Sequence, residues 1–91
     1  MKLHVDHFTP FVGTVFMVEA EDGAYPVELL SAEGRSSGGG APGFNLLFSG
    51  APLPGLPQGT YRFGRDGWAE DIFVVPIGVT DGAMRYQAVF N

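Results

Sequence analysis

The sequence contains no cysteine and a single lysine, and charged residues of both signs are scarce. The absence of cysteine excludes disulfide bonds, thiolate zinc sites and cysteine nucleophiles. Charged residues make up 16% of the chain, whereas a soluble domain usually carries about 25%. Ten acids against five bases give a net charge of −5, and the arginines form no basic stripe. Nucleic acids and anionic membranes bind clustered basic side chains, so we expect neither as a partner.

Three other features are missing from the sequence. No segment shows a helical period of useful length, and no apolar run is long enough to span a bilayer. Met1–Asp6 is short and polar, so we expect no signal peptide there. These observations leave a chain built from short strands and turns.

Apolar residues are abundant instead, at 45% of the chain, and 13% of residues are aromatic. The length predicts a single domain over residues 1–91. Two interpretations of the low charge stay open. Either a dense core lies beneath a neutral surface rich in Gly and Ser, or apolar surface is exposed for a partner.

Alternation of apolar and polar residues predicts an all-β fold. Asp-Gly pairs mark turns, because glycine adopts positive φ at no steric cost. We expect a six-stranded antiparallel barrel, or seven strands if Leu3–Asp6 forms one, with a compact sandwich as the alternative and at most one short helical turn near Pro10. The predicted strands cover residues 14–20, 25–33, 44–50, 60–65, 70–80 and 84–91, separated by turns at Asp22-Gly23, Asp66-Gly67 and Asp81-Gly82.

The segment Ile72–Val79 is almost entirely apolar and β-branched or aromatic. Since it does not alternate, we expect both of its faces to be buried, as the central strand of the fold. Proline cannot donate to a sheet ladder, so Pro76 predicts a bend, a bulge or an unpaired edge.

Smaller elements complete the expected fold. Thr9 as cap and Pro10 at the first helical position would begin a turn that places Phe8 and Phe11 over one end of the sheet. Within the fourth strand, Tyr61 and Phe63 are expected inward, and Arg62 and Arg65 outward. Residues 34–43 and 51–59 are expected as loops, the first mobile and glycine-rich, the second stiffened by proline. Trp68 is interpreted as closing one barrel end, with an interface role as the alternative.

Side chains able to perform chemistry are few, and we assign no catalytic, cofactor-binding or metal site. His4, Asp6 and His7 could hold a divalent ion, but solvated or capping side chains are the better interpretation. The acids Glu19, Glu21 and Asp22 are too closely spaced for a calcium loop. Glu70 and Asp71 are interpreted as polar residues that flank an aggregation-prone run. The parts of a serine triad (Ser36, His7, Asp66) occur without a nucleophile elbow. Tyr25, Tyr61 and Tyr86 could line a small-ligand groove or simply pack.

Five segments, taken in order along the chain, resemble an uncharacterised family of small bacterial all-β domains of unknown function. Some members of that family accompany phage-tail-collar or tail-fibre-like proteins. The resemblance implies a structural or assembly role and supplies no site residues. The matching segments are Phe8–Gly13, Phe44–Gly50, Leu56–Tyr61, Ile72–Gly78 and Tyr86–Asn91.

These observations favour a non-enzymatic structural or protein-interaction module without cofactors, which associates with itself or with a protein partner. An accessory role in phage-tail-like or fibre assemblies is the more specific form. The alternative is a small ligand-binding barrel that uses residues 34–43 and 51–59 as its rim. The location is left open between the cytoplasm and a phage-like assembly.

Overall fold

A computed structural model describes residues 4–35, 43–53 and 55–90 of the chain, and the side chain of Arg35 is not among what it describes. The described residues form two short 3-10 helices followed by six strands. The helices are Val5–His7 and Thr9–Phe11, and the strands are β1 (Val15–Ala20), β2 (Gly23–Arg35), β3 (Gly43–Gly50), β4 (Gly59–Arg65), β5 (Trp68–Thr80) and β6 (Ala83–Phe90).

The strands close into an antiparallel barrel in the order β1-β2-β3-β6-β5-β4. The predicted six-stranded barrel is therefore confirmed, and the sandwich is not formed. Of the segment considered for a seventh strand, Val5 and Asp6 lie in a 3-10 helix, and Leu3 lies outside the described residues. The predicted loop over 34–43 is shorter at both ends, since Gly34 and Arg35 belong to β2 and Gly43 to β3. Its middle, residues 36–42, lies outside the described residues.

Two-residue turns connect three of the strand pairs. At Asp66-Gly67 and Asp81-Gly82 both residues have positive φ, which gives the turn a twist that matches the flanking strands. The first hairpin differs from its prediction by one residue. Its loop is Glu21-Asp22, because Ala20 pairs with Gly23.

Alternate side chains of each strand fill the barrel. Phe16 and Val18 of β1 are buried while Val15 and Met17 face outward, and β3 buries Phe44, Leu46 and Phe48. Burial of each large apolar side chain contributes roughly 1.5–3 kcal/mol to stability, which is how so short a chain sustains a core. The remaining buried side chains include Val27, Leu29, Leu56, Phe63, Ile72, Val74, Tyr86 and Ala88.

The expectation that β5 is buried on both faces is wrong. Ile72 and Val74 are buried, but Phe73 is 49% exposed and Ile77 is 54% exposed. The first half of β5 (residues 68–74) pairs with β4, whereas the second half (residues 75–80) pairs with β6. A closed barrel covers only the inner face of a strand, so the outward side chains of this apolar run remain in water.

Of the alternatives predicted at Pro76 (a bend, a bulge or an unpaired edge), a bulge is present. The register between β5 and β6 shifts between Pro76 and Gly78, and Gly78 has a φ of 127°, a conformation that favours glycine. The extra residue is Ile77. After the bulge, Val79 pairs with Met84, although it is 57% exposed.

The helical turn predicted near Pro10 closes one end of the barrel. Phe8 is fully buried, and its ring lies 5.9 Å from Phe44 and 6.2 Å from Phe90, centroid to centroid. The expected cap is shifted by one residue, because Phe8 occupies the N-cap and Thr9 the first helical position. The Thr9 hydroxyl instead donates to the carbonyl of Val5. We call this end of the barrel the aromatic end.

The other end is closed by Leu56 of the segment between β3 and β4, and we call it the loop end. Leu56 is buried there, and its backbone N–H donates to the Tyr86 hydroxyl over 2.8 Å. In the described part of the chain, helices are too short and too polar to cross a membrane.

Candidate functional site

A cavity of about 240 Å³ opens at the aromatic end. The first 3-10 helix, the second 3-10 helix, β1 and the β4–β5 hairpin each contribute to its walls. The side chains that line it are His7, Phe11, Phe16, Arg65, Asp66 and Trp68. Trp68 packs edge-on against Phe8 and Phe16, with ring centroids 5.7 Å and 5.9 Å away. Its interpretation as a residue closing a barrel end is therefore confirmed.

Arg65 is the cation of this cavity. Its guanidinium carbon lies 4.2 Å from the centre of the Phe11 ring and 5.7 Å from that of Phe16. One terminal nitrogen, Nη2, is 2.9 Å from Oδ2 of Asp66. The expectation that Arg65 points outward is wrong. It shares the inward row of β4 with Tyr61 and Phe63, and its side chain is only 20% exposed.

The amino-terminal histidines act as caps. The Asp6 N–H donates to His4 Nδ1, and the His4 N–H donates to His7 Nδ1. Both Nδ1 atoms thus accept hydrogen bonds from backbone N–H groups. The prediction that these side chains act as caps is therefore confirmed for the two histidines. Within residues 4–35, 43–53 and 55–90, no group of three His, Cys, Asp or Glu side chains is placed to hold a metal ion.

A second cleft, of about 510 Å³, lies at the loop end. The Tyr25 hydroxyl donates to Asp22 over 2.7 Å, and the Tyr61 hydroxyl donates to the carbonyl of Pro57 over 2.6 Å. The hydrogen bond to Asp22 raises the pKa of Tyr25, and burial raises the pKa of Tyr61. The lining residues are Ala20, Glu21, Asp22, Tyr25, Gly55, Leu56, Pro57 and Tyr61. Tyr86 is directed elsewhere, into the core beneath Leu56.

The other acids are dispersed over the barrel. Asp71 binds Arg62 across the β4–β5 pair, with Nη1 and Oδ1 3.2 Å apart. Glu70 lies one residue earlier on β5, opposite Phe63. Of the three triad-type side chains, His7 and Asp66 line the same cavity, and Ser36 lies outside the described residues.

The two loops expected to form one rim are attached to opposite ends of β3. Residues 34–43 precede β3 and residues 51–59 follow it. Eight residues of strand separate the two attachment points, roughly 25 Å at the rise of an antiparallel strand. The attachment points of the two loops are therefore far apart, and residues 36–42, which make up most of the first loop, lie outside the described residues.

Six exposed apolar side chains lie on β5 or on and just before β1. We call Phe73, Ile77 and Val79 the β5 surface, and Val12, Val15 and Met17 the β1 surface; all six are at least 42% exposed. β4 lies between them and carries the Arg62–Asp71 ion pair. No sequence signal distinguished these side chains from core residues, because outward and inward positions of β5 are equally apolar.

Comparison with known proteins gives a family but no function. No curated protein and no solved structure matches the chain. A family model described as "Domain of unknown function (DUF6916)" matches residues 3–90, nearly the full length. The chain is therefore a member of the DUF6916 family, a small six-stranded barrel whose family has no assigned activity.

Proposed function

We propose that this barrel is a non-enzymatic structural or protein-interaction module, and that it associates with a second copy of itself through the β5 surface. The observation that carries the proposal is the second half of β5. Residues 75–80 pair with β6 on one side. The β4 pairing ends at Val74, so among the described residues no strand occupies the other edge.

A free strand edge with exposed apolar side chains is a template for pairing with another chain. Natural edges are usually protected by charge, proline or a bulge. Here Pro76 and the bulge protect the beginning of the edge, but Ile77–Thr80 contains neither charge nor proline. An antiparallel pair of two such edges is self-complementary, and it opposes no like charges.

The dispersal of the titratable side chains supports the non-enzymatic part of the proposal. His4 and His7 use Nδ1 in capping, and Asp71 is paired with Arg62. A general base within reach of a nucleophile is the usual starting point of hydrolytic catalysis. Among the described residues, the Tyr25 hydroxyl donates to Asp22, but the hydrogen bond raises the pKa of Tyr25, which makes this hydroxyl a poorer nucleophile.

Sedimentation velocity over a wide concentration series tests self-association directly. We expect a concentration-dependent dimer for the native chain and a monomer for Ile77→Lys, because a buried lysine would oppose its own copy. The matched control is Val15→Lys. Val15 is 53% exposed on the β1 surface, so its replacement should leave the dimer intact. A native chain that stays monomeric, or equal effects of the two variants, would contradict the proposal.

The more specific role, as an accessory of phage-tail-like or fibre assemblies, is supported by the family resemblance and by the same apolar surface. Co-expression with a tail-fibre-like protein encoded nearby tests it. We expect co-elution with the native chain and its loss with Ile77→Lys. Absence of co-elution would reject this role. It would not affect the proposal of self-association, which the sedimentation experiment tests separately.

A ligand-binding barrel is the second candidate, and the cleft at the loop end favours it. Its volume of about 510 Å³ falls in the usual range of small-molecule pockets, about 300–1,000 Å³. Gly55, Leu56 and Pro57 form part of its wall, so the 51–59 loop contributes to the rim. Screening a fragment set by chemical-shift perturbation tests this candidate. Shifts centred on Tyr25 and Tyr61 would support it, and an absence of such shifts would reject it.

A further inference from the structure

We infer that the cleft at the loop end binds a planar nitrogen cation, a guanidinium or amidinium group, against two tyrosine rings and beside two carboxylates. The rings belong to Tyr25 and Tyr61, and the carboxylates belong to Glu21 and Asp22. The inference rests on the ligand-binding candidate function and names the class of ligand that the cleft selects. It does not depend on association through the β5 surface.

Small residues create the cleft. β1 lies between β2, which carries Tyr25, and β4, which carries Tyr61. The last residue of β1 is Ala20, and it pairs with Gly23 of β2. Side chains of one carbon or none leave space at this end of the strands, and the cleft has a volume of about 510 Å³. Since an apolar cavity of about 150 Å³ is enough to hold benzene, a planar group has ample room here.

The tyrosine hydroxyls of the cleft have no free proton for a ligand. The Tyr25 hydroxyl donates to Oδ2 of Asp22 over 2.7 Å, and the Tyr61 hydroxyl donates to the carbonyl of Pro57 over 2.6 Å. A hydroxyl has one proton and two lone pairs, so each can only accept a further hydrogen bond. Carboxylates also act as acceptors. The side chains of the cleft therefore offer acceptors and aromatic faces, and the ligand has to supply the donors.

The negative charge of the cleft has no counterion among the described residues. Glu21 and Asp22 line the cleft, and no described basic side chain does. Arg35, whose side chain is not described, ends β2 thirteen residues from the start of that strand at the cleft. The net charge of −5 also attracts a cation and repels an anion. The remaining arginines contact other acids, in the pairs Arg62–Asp71, Arg65–Asp66 and Arg85–Asp81.

A planar cation uses both features of the cleft. Aromatic faces attract cations, and guanidinium groups are found on them more often than ammonium groups. A guanidinium stacks flat on a ring while the N–H groups at its edge donate in pairs to a carboxylate. A primary ammonium is compact and strongly hydrated, so it does not stack in this way. A quaternary ammonium can lie on the rings but has no N–H for the acceptors.

Benzamidine is the probe, with benzamide and benzoate as neutral and anionic counterparts of similar shape. Chemical-shift perturbation of the Tyr25 and Tyr61 rings follows binding, and Trp68 at the aromatic end should not respond. We expect saturable binding of benzamidine, binding of benzamide that is weaker by about tenfold or more, and no binding of benzoate. Equal affinity for benzamidine and benzamide would overturn the inference, although the ligand-binding candidate would stand. No shift at either tyrosine with any probe would also overturn it, and failure of the whole fragment set would reject that candidate too.

Variants in the turn between β1 and β2 test the carboxylates. Glu21→Gln should lower benzamidine affinity about threefold, because ion pairs with exposed carboxylates are weak. Adding Asp22→Asn should bring the loss to about tenfold. The matched control is Glu28→Gln, an exposed acid of β2 that does not line the cleft, and it should leave affinity unchanged. Native affinity in the double variant, or equal losses for Glu21→Gln and Glu28→Gln, would contradict the inference.

A free guanidinium compound and an arginine side chain of a protein partner present the same chemical group. Methylguanidine and a blocked tripeptide with arginine between two glycines distinguish these sources in the same assay. Tighter binding of the tripeptide would indicate a protein partner, and tighter binding of methylguanidine would indicate a small ligand. A tripeptide with lysine in place of arginine should bind about threefold more weakly or less, since its ammonium does not stack. If the lysine tripeptide binds as tightly as the arginine tripeptide, the cleft does not select a planar cation and the inference is wrong.

Discussion

The two halves of β5 share one apolar run, Ile72–Val79, but differ in how much of it is buried. The first half ends in Ile72-Phe73-Val74 and pairs with β4, with Ile72 and Val74 in the core. The second half, residues 75–80, pairs with β6 and exposes Ile77 and Val79. A continuous apolar run therefore does not imply continuous burial. In a closed barrel, position relative to the lumen and to neighbouring strands decides which side chains leave water.

The largest expected effect compares two isoleucines of this strand. Ile72→Ala should lower the free energy of unfolding by about 2–5 kcal/mol, because it leaves a cavity in the core. Ile77→Ala should change it by no more than about 0.5 kcal/mol, measured at a concentration where the chain is monomeric. Chemical denaturation monitored by Trp68 fluorescence measures both. Equal losses would show that the two halves are buried alike.

The bulge that separates the halves gives the next effect. Gly78 has a φ of 127°, and a Cβ added there would meet no atom within 4 Å. Gly78→Ala should therefore cost about 1–3 kcal/mol through backbone strain alone. The control is Gly34→Ala, which has equal space around a Cβ and no positive φ. It should be neutral or slightly stabilising. A neutral Gly78→Ala would mean that the strand passes Pro76 without this bulge.

At the loop end, two tyrosine hydroxyls can be compared, one buried and one exposed. The buried one belongs to Tyr86, the residue opposite Pro76. Tyr86→Phe leaves the buried N–H of Leu56 without its partner and should cost about 1–2 kcal/mol. Tyr61→Phe removes a hydroxyl that bonds the same loop at Pro57, but in an exposed position. It should cost about 0.5 kcal/mol or less, because water replaces the lost bond. If Tyr61→Phe lowered the free energy of unfolding more than Tyr86→Phe, the Tyr86 hydroxyl would not be the one that holds the loop.

The smallest effect concerns the ion pair on the outside of the first half. Asp71→Asn removes the contact with Arg62, where both side chains are more than half exposed. We expect a loss of about 0.2–1 kcal/mol that shrinks further at high salt. A loss as large as that of Ile72→Ala would mean that charge, and not burial, holds the first half in place.

Much of this fold could be predicted from the sequence, for reasons visible in particular residues. Asp66-Gly67 and Asp81-Gly82 set their turns locally, and the alternation Phe44, Leu46, Phe48 set the inner face of β3. Pro76 indicated a bend, a bulge or an unpaired edge, and the bulge is one of these. These signals are local, and no distant contact was needed to interpret them.

Two predictions were wrong, the burial of β5 on both faces and the outward direction of Arg65. In both cases, contacts made when the barrel closes decide the outcome and the local sequence pattern does not. Nothing in Ile72–Val79 indicates which apolar side chains face the lumen, so burial on both faces was the natural and wrong prediction. The position of Arg65 was open to prediction, because two-residue periodicity places it on the row of Tyr61 and Phe63. Its charge argued for an outward position. Its actual place over Phe11 depends on a 3-10 turn more than fifty residues earlier.

Amide hydrogen exchange of the second half of β5 tests the central claim most directly. Those amides of Ile77–Thr80 that point away from β6 should exchange quickly in dilute protein, and they should slow by about tenfold or more as the concentration rises into the range of the dimer. The turn amides of Asp66 and Gly67, at the other end of the strand, should not change. If the exchange rates of Ile77–Thr80 stay the same while the chain dimerises, the copies meet elsewhere and the β5 surface is not the interface.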